Sequence, residues 1–247
     1  GKIIFHKNKK CQVMHNGIKI LQGCYCEGPS CPWMTEIIYN LKGHHEPQEE
    51  KVFYEVLKHI PENGKMLELG SYWAYFSLWF HSEIPNATNY MIEPSPRQIN
   101  IGKENFALND IKGHFDIAFI GRKIDLPKDG RSAPQLSVDE YVKRKKIDFL
   151  DIIHSDIQGA EHEMLKGAEN TIRSKKVGYF FISTHAEHVH KNCVKFLKNK
   201  NFIIVAEHTP KESFSIDGLI VARAKYYPGI NHVEVSKNKK NINWRSL

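Results

Sequence analysis

Four positions fall where strands of an alternating strand–helix chain would end: Gly70 and the polar Glu93, Asp156 and His185. The first follows Lys65-Met66-Leu67-Glu68-Leu69, a short apolar run with an acid near its end. Gly70 then turns the chain into Ser71-Tyr72-Trp73-Ala74-Tyr75-Phe76-Ser77, an aromatic, helix-compatible stretch. A strand, a glycine turn and a helix in that order form the phosphate- or nucleotide-side turn of an α/β unit, because glycine lets the backbone approach a ligand. Asn89-Tyr90-Met91-Ile92-Glu93 reads as the next strand and ends on a carboxylate. Its distance past the turn is that of the acid which holds a ribose diol in such folds. Each residue singly has a plain structural reading; Asp156, for instance, could cap the helix after it. Together they are harder to dismiss, since buried carboxylates without a cationic partner are costly. A positively charged ligand would relieve them.

The elements that must position these residues are legible from periodicity. Ile3 to Leu21 reads as short strands with a turn at His15-Asn16-Gly17. Trp33 to Leu41 reads as a short helix, and Val52, Phe53, Val56, Leu57 and Ile60 fall at helical spacing after the Pro47 start. Beyond Glu93, a helix from Pro94 to Asn109 leads to a third strand at Phe115–Ile120 and a helix at Val138–Lys145. A fourth strand spans Ile147–Asp156, followed by one helix from Ala160 to Thr171. Val177–Ser183 is near-continuously apolar, as strands buried on both faces are. A helix at Ala186–Asn199 and strands at Phe202–Ala206 and Leu219–Ala222 complete the pattern. The expectation is an α/β fold, Rossmann-like and doubly wound: a mostly parallel seven-stranded sheet with helices on both faces. A short β-rich arm with a cysteine loop occupies residues 1–42, the α/β domain 43–226, and a polar, mobile tail 227–247.

The 247 residues, 41% of them hydrophobic, suffice for one large core. No run of about 18 apolar residues offers a membrane span, and Gly1–Lys7 has no signal-peptide core. The five cysteines are odd in number and sparse, which points to a reducing, cytoplasmic setting. Cys24, Cys26 and Cys31, with His44 and His45, suggest a zinc site, but the paired C-x-x-C knuckle is missing. The net charge of +7 comes partly from lysine runs at 7–10, 143–146 and 237–240. Aromatics are not interleaved with these runs, so they read as solvated faces and ends rather than a nucleic-acid surface.

Ser137-Val138-Asp139-Glu140-Tyr141 and then His154-Ser155-Asp156-Ile157-Gln158-Gly159-Ala160-Glu161, ending in Leu165-Lys166-Gly167-Ala168, resemble the FkbM-type family of S-adenosylmethionine-dependent methyltransferases. Glu68-Leu69-Gly70-Ser71 is similar to the cofactor turn of class I methyltransferases, Ile92-Glu93-Pro94 to the ribose acid, and Glu46-Pro47 to a step before the first strand. The resemblance spans about Gly43 to Ala222. Ala74 stands in place of the second glycine of the turn, and Gln158 where an acid is common. The resemblance implies S-adenosylmethionine as cofactor. Glu68, Gly70, Ser71 and Trp73 would surround its methionine part, Glu93 its ribose and Pro94 the adenine side, with Glu46 and Asp156 also cofactor-binding. A permanent sulfonium cation suits a crevice bearing Glu68, Glu93 and Asp156. It further implies oxygen methylation of a sugar or other small hydroxyl acceptor. Such a transfer needs alignment and a base near neutrality, for which His185 is the first candidate, with Asp156 and Glu161 as alternatives or orienting partners.

Three other readings remain at this stage. His154-x-Asp156 with His185 could form a two-His-one-carboxylate iron site of an oxygenase, though such sites usually sit on a double-stranded β-fold. A divalent metal, magnesium above all, could assist transfer through Asp156, Glu161 or His185. The basic balance admits a non-catalytic nucleic-acid-binding module on the same fold. The N-terminal arm would either cover the acceptor site or form a homodimer contact.

Overall fold

The structure is a computed structural model that describes residues 1–23, 33–125 and 133–238. Its strands are β1 (Ile3–His6), β2 (Lys9–Val13), β3 (Lys19–Leu21), β4 (Lys65–Leu69), β5 (Thr88–Ile92), β6 (His114–Asp116), β7 (Phe119–Ile120), β8 (Gln135–Leu136), β9 (Leu150–Ser155), β10 (Val177–Thr184), β11 (Phe202–His208) and β12 (Gly218–Ala224). The helices are α1 (Trp33–Asn40), α2 (Pro47–Leu57), α3 (Tyr75–Glu83), α4 (Pro96–Leu108), α5 (Val138–Arg144), α6 (Glu161–Lys166), α7 (Glu169–Arg173) and α8 (Glu187–Asn199).

Seven strands make the central sheet in the order β11-β12-β10-β9-β4-β5-β6. β6, β5, β4, β9 and β10 pair in parallel, while β12 runs antiparallel between β10 and β11. Every residue of β9 and β10 is buried, which explains their unbroken apolar character: helices cover both faces. The chain leaves β4 toward β5 and β6, then returns to place β9 on the other side of β4. That reversal opens a crevice beyond the carboxyl ends of β4 and β9, the usual ligand position in open α/β sheets.

Several elements differ from their sequence reading. The third strand is broken: β6 joins the main sheet, while Phe119–Ile120 pairs separately with β8. The helix expected over Ala160–Thr171 is two, α6 and α7, parted at Gly167-Ala168. Gly167 lies so close to Gly121 that a Cβ there would sit 2.4 Å from its carbonyl oxygen. Asp139 holds the start of α7, accepting the backbone N–H groups of Asn170 (2.9 Å) and Thr171 (2.7 Å). The residues after Tyr227 also depart from a free tail up to 238. Val233 is buried with its N–H on the Val205 carbonyl, and the Arg223 guanidinium binds the Ile230 carbonyl.

The arm is a three-stranded antiparallel sheet docked on α4. Asn105 accepts the Leu21 N–H at 2.9 Å, and Asn109 exchanges hydrogen bonds with both backbone groups of Lys19. Cys11, Leu21 and Leu108 fill the gap between them. Cys11 and Cys193 are free, buried thiols; Cys24, Cys26 and Cys31, and with them the zinc reading, lie outside the described residues. Among the described residues no helix is long and apolar enough to cross a membrane.

Candidate active site

The turn after β4 sits against the end of β9. Gly70 has φ +71°, and a Cβ there would lie 1.9 Å from the Asp156 carbonyl oxygen, so both the backbone conformation and the approach demand glycine. The N–H groups of Gly70 and Ser71 donate to the Ile92 carbonyl at 2.9 and 3.1 Å, and Asp156 N–H donates to Leu69 O at 2.9 Å. Three strand ends are thereby locked together. Ala74, in place of a glycine, still adopts the left-handed conformation (φ 59°, ψ 37°) as it opens α3. The turn keeps its shape and carries the small strain of a methyl group there.

Around this turn the structure gathers acids. Glu68 is buried and accepts the Ser77 N–H at 3.2 Å; burial raises its pKa to about 7 against the hydrogen bonds from Ser77. Glu93, also buried, accepts Ser95 N–H (2.9 Å) and Tyr72 N–H (3.2 Å), yet burial and the Asp156 charge keep its pKa above the usual range. Glu46, half-buried at the start of α2, has its pKa raised well above the usual range by burial and shares a side-chain hydrogen bond with Glu49. Glu49 is buried, with its pKa raised to about 7 by burial and by the charges of Asp156, Glu50 and Asp217. Its Oε1 lies 3.0 Å from His154 Nε2, and burial lowers the His154 pKa so that this imidazole is neutral. Ser71 is buried with its hydroxyl unpaired, and Trp73 stacks on Tyr75 with ring centroids 5.0 Å apart. Pro94 is half-buried directly after Glu93.

His185, after β10, stands among three carboxylates. Its Nδ1 donates to Glu161 at 2.7 Å, and its Nε2 lies 3.1 Å from Asp156 and 3.4 Å from Asp217. Burial opposes the charged form, but the bonds to Asp156 and Glu161 and the Asp217 charge prevail and push the pKa up to about 10. At neutral pH His185 is therefore an imidazolium. The Gln158 amide nitrogen lies 3.0 Å from its Nε2, so the residue standing in place of an acid reaches this cluster. Glu161 is fully buried, with one oxygen on His185 and the Gly159 N–H and the other unpaired.

The structure thus brings Glu46, Glu68, Gly70, Ser71, Glu93, Asp156, Glu161 and His185 to one end of the sheet. It does not assemble His154, Asp156 and His185 as an iron triad: His154 faces Glu49, whereas Asp156 pairs with His185. Nor do Asp156, Glu161 and His185 converge as metal ligands; among the described residues the ligand atoms that do so belong to His15, His44 and Glu50. Sequence reasoning missed Glu49 and Asp217. Glu49 was signalled, since it lies three, four and seven residues before Val52, Phe53 and Val56 on the inward stripe of α2. Asp217 was not, because its place depends on the antiparallel insertion of β12.

A parallel sheet of this order with one inserted antiparallel strand, and a glycine turn facing an acid-lined crevice, is the layout of a Rossmann-like methyltransferase. The family model for the methyltransferase FkbM domain matches residues 55–204, more than half of the chain, so the chain belongs to the FkbM methyltransferase family and S-adenosylmethionine is its cofactor. No curated protein matches it. Among solved structures it is similar to the precorrin-6y C5,15-methyltransferase of Geobacter metallireducens GS-15, with 12% identity and a TM-score of 0.50 over 72% of this chain and 87% of that one. It is also similar to M. capricolum TrmK, a structure in complex with S-adenosylhomocysteine, at 15% identity and a TM-score of 0.49, covering 75% and 71% of the two chains.

Proposed function

We propose that the chain transfers a methyl group to a hydroxyl oxygen of a sugar or another small acceptor. One observation carries the reading: a crevice at the switch point of the sheet collects carboxylates whose pKa values are raised by burial, while His185 is clamped at its rim by three more. The residues fit the cofactor. Among the described residues the acids have no buried cationic partner on the β4 side, and the Ser71 hydroxyl is unpaired. S-adenosylmethionine supplies an electrophilic methyl on a cationic sulfur.

Glu68, Gly70, Ser71 and Trp73 border its methionine part, with Glu46 facing it from the start of α2. Glu93 binds the ribose hydroxyls, and Pro94 shapes the adenine side. The backbone bonds to Glu93 fix its carboxylate before any ligand arrives. Asp156 lies between the two groups of residues, on the cofactor side through Gly70 and on the acceptor side through His185. A cation bound near Asp156 cancels part of the field that holds the imidazolium, and His185 falls toward a pKa at which it can accept the acceptor's proton. Glu161 keeps its ring oriented through Nδ1. Phe214 and Ile216, exposed on the loop leading to Asp217, offer an apolar surface for the face of a sugar ring. The free, buried Cys11 and Cys193 suit a reducing, cytoplasmic setting.

A labelled-methyl screen over sugar acceptors, run on wild type and His185→Ala, tests this. The variant should bind the cofactor as wild type does and lose roughly 10²–10⁴-fold in transfer rate, the usual worth of a positioned base. Equal rates in the two proteins would remove His185 from the reaction.

A further inference from the structure

Outside the crevice, a second cluster of side chains joins the N-terminal arm to the domain. His15 lies in the turn between β2 and β3, His44 in the connection from α1 to α2, and Glu50 in the first turn of α2. One ligand atom from each lies within 4.8 Å of the others. Both imidazoles address the same carboxylate oxygen: His44 Nδ1 contacts Glu50 Oε2, and His15 Nε2 lies 3.3 Å from it. The other oxygen, Oε1, accepts the backbone N–H groups of His45 (2.7 Å) and Glu46 (3.3 Å), so the carboxylate cannot swing away. Burial opposes its ionised form, yet these bonds hold Glu50 below the usual carboxylate pKa. The carboxylate is held in place beside both imidazoles.

The two rings stack with centroids 3.9 Å apart and planes at 13°. Imidazole lone pairs lie in the ring planes, so the two rings must tilt out of this stack for both nitrogens to face one ion beside Glu50. The backbone holds the two segments side by side: His15 N–H donates to Gly43 O at 3.0 Å, and Gly43, at φ +102°, approaches so closely that a Cβ would meet His15 N at 2.6 Å. Donors bound to one ion by bonds of about 2.0–2.2 Å lie roughly 3–4 Å apart, and two histidines with one glutamate are a zinc ligand set that leaves a position for water.

We propose that His15, His44 and Glu50 bind one divalent transition-metal ion of the zinc class, and that the ion pins the N-terminal sheet to the methyltransferase domain. Because His15 and Glu50 lie far apart in sequence, the bound ion closes a long loop of the unfolded chain, which is where a cross-link stabilises most. Its ligands are none of the cofactor or acceptor residues, although Glu50 also accepts the Glu46 N–H, so its failure would leave the methyltransferase reading untouched.

The test uses the full chain stripped of metal and titrated with Zn²⁺ alone by calorimetry, with thermal unfolding followed in parallel. One equivalent should bind, the unfolding midpoint should rise with it, and His15→Gln and His44→Gln should each weaken binding by at least about tenfold. Absorption of the Co²⁺-loaded wild-type chain reads the ligands without any variant: weak ligand-field bands of a nitrogen–oxygen site support the assignment. No saturable binding, affinity unchanged in a His15→Gln/His44→Gln double variant, or an intense thiolate-to-cobalt band would overturn it.

Discussion

At Glu68 the burial of an acid becomes a pH-dependent stability effect. Its pKa is raised by burial to about 7, against about 4.3 for an unperturbed glutamate, so the folded chain binds a proton that the unfolded chain has released. Stability from this group is therefore full below pH ~4.3, falls as pH rises to about 7, and stays low above it. Glu68→Gln keeps an oxygen for the Ser77 N–H and removes the charge. We expect it to raise the unfolding midpoint of the cofactor-free protein at pH 8 by about 2–6 °C, to change it little at pH 4, and to weaken cofactor binding. A lower midpoint at pH 8 would show that the carboxylate already has a partner. His185 has linkage of the same sign, here from a cation held by acids rather than from an acid kept from ionising. Its raised pKa gives stability that is present below pH ~6.5 and is lost as pH climbs through about 10. Histidine, read from sequence as a base poised near neutrality, is here a cation first, because three acids from separate parts of the chain reach it. Asp156 and Glu161 were in view in the sequence; the field they make with Asp217 was not.

Individual elements depend on a few backbone contacts. Gly70→Ala would force a Cβ into the Asp156 carbonyl at a positive φ, so β4 and β9 must separate at their carboxyl ends. Loss of cofactor binding at a lowered unfolding midpoint is the expected result; wild-type affinity would mean that the turn has another way to close. Asp139 belongs to the segment that resembles the family, and its work is structural: it caps α7 across 31 residues of sequence. Asp139→Ala should cost about 1–2 kcal/mol of stability, as lost caps do, with cofactor affinity unchanged; an affinity loss without destabilisation would contradict this. The strands were legible where apolar runs met glycine or an acid, as at Leu69-Gly70 and Ile92-Glu93. Boundaries failed where tertiary contact decides them. Phe115–Ile120 has strand composition throughout, but the sheet ends at Asp116. Ala160–Thr171 has helical spacing, but Gly167 must pass against Gly121. The docking of the arm through Asn105 and Asn109 left no periodic trace, since asparagines on a helix read as solvent-facing.

For the molecule as a whole, fold and charge make one argument. The reversal of strand order between β4 and β9 creates the crevice, and α2 folds over it with Glu46 and Glu49 pointing inward beside Val52 and Phe53. Those acids destabilise the protein above neutrality, a cost in line with the common trade between stability and activity if, as proposed, they hold a cation. The most direct test is calorimetric titration at pH 6.5 in buffers of differing ionisation enthalpy, comparing S-adenosylmethionine with S-adenosylhomocysteine, which lacks the sulfonium charge. Binding of the cationic form should be accompanied by release of roughly one proton more than binding of the neutral one, as the raised acids and His185 shed protons around the new charge. Absence of binding, or equal proton release by the two compounds, would contradict the account.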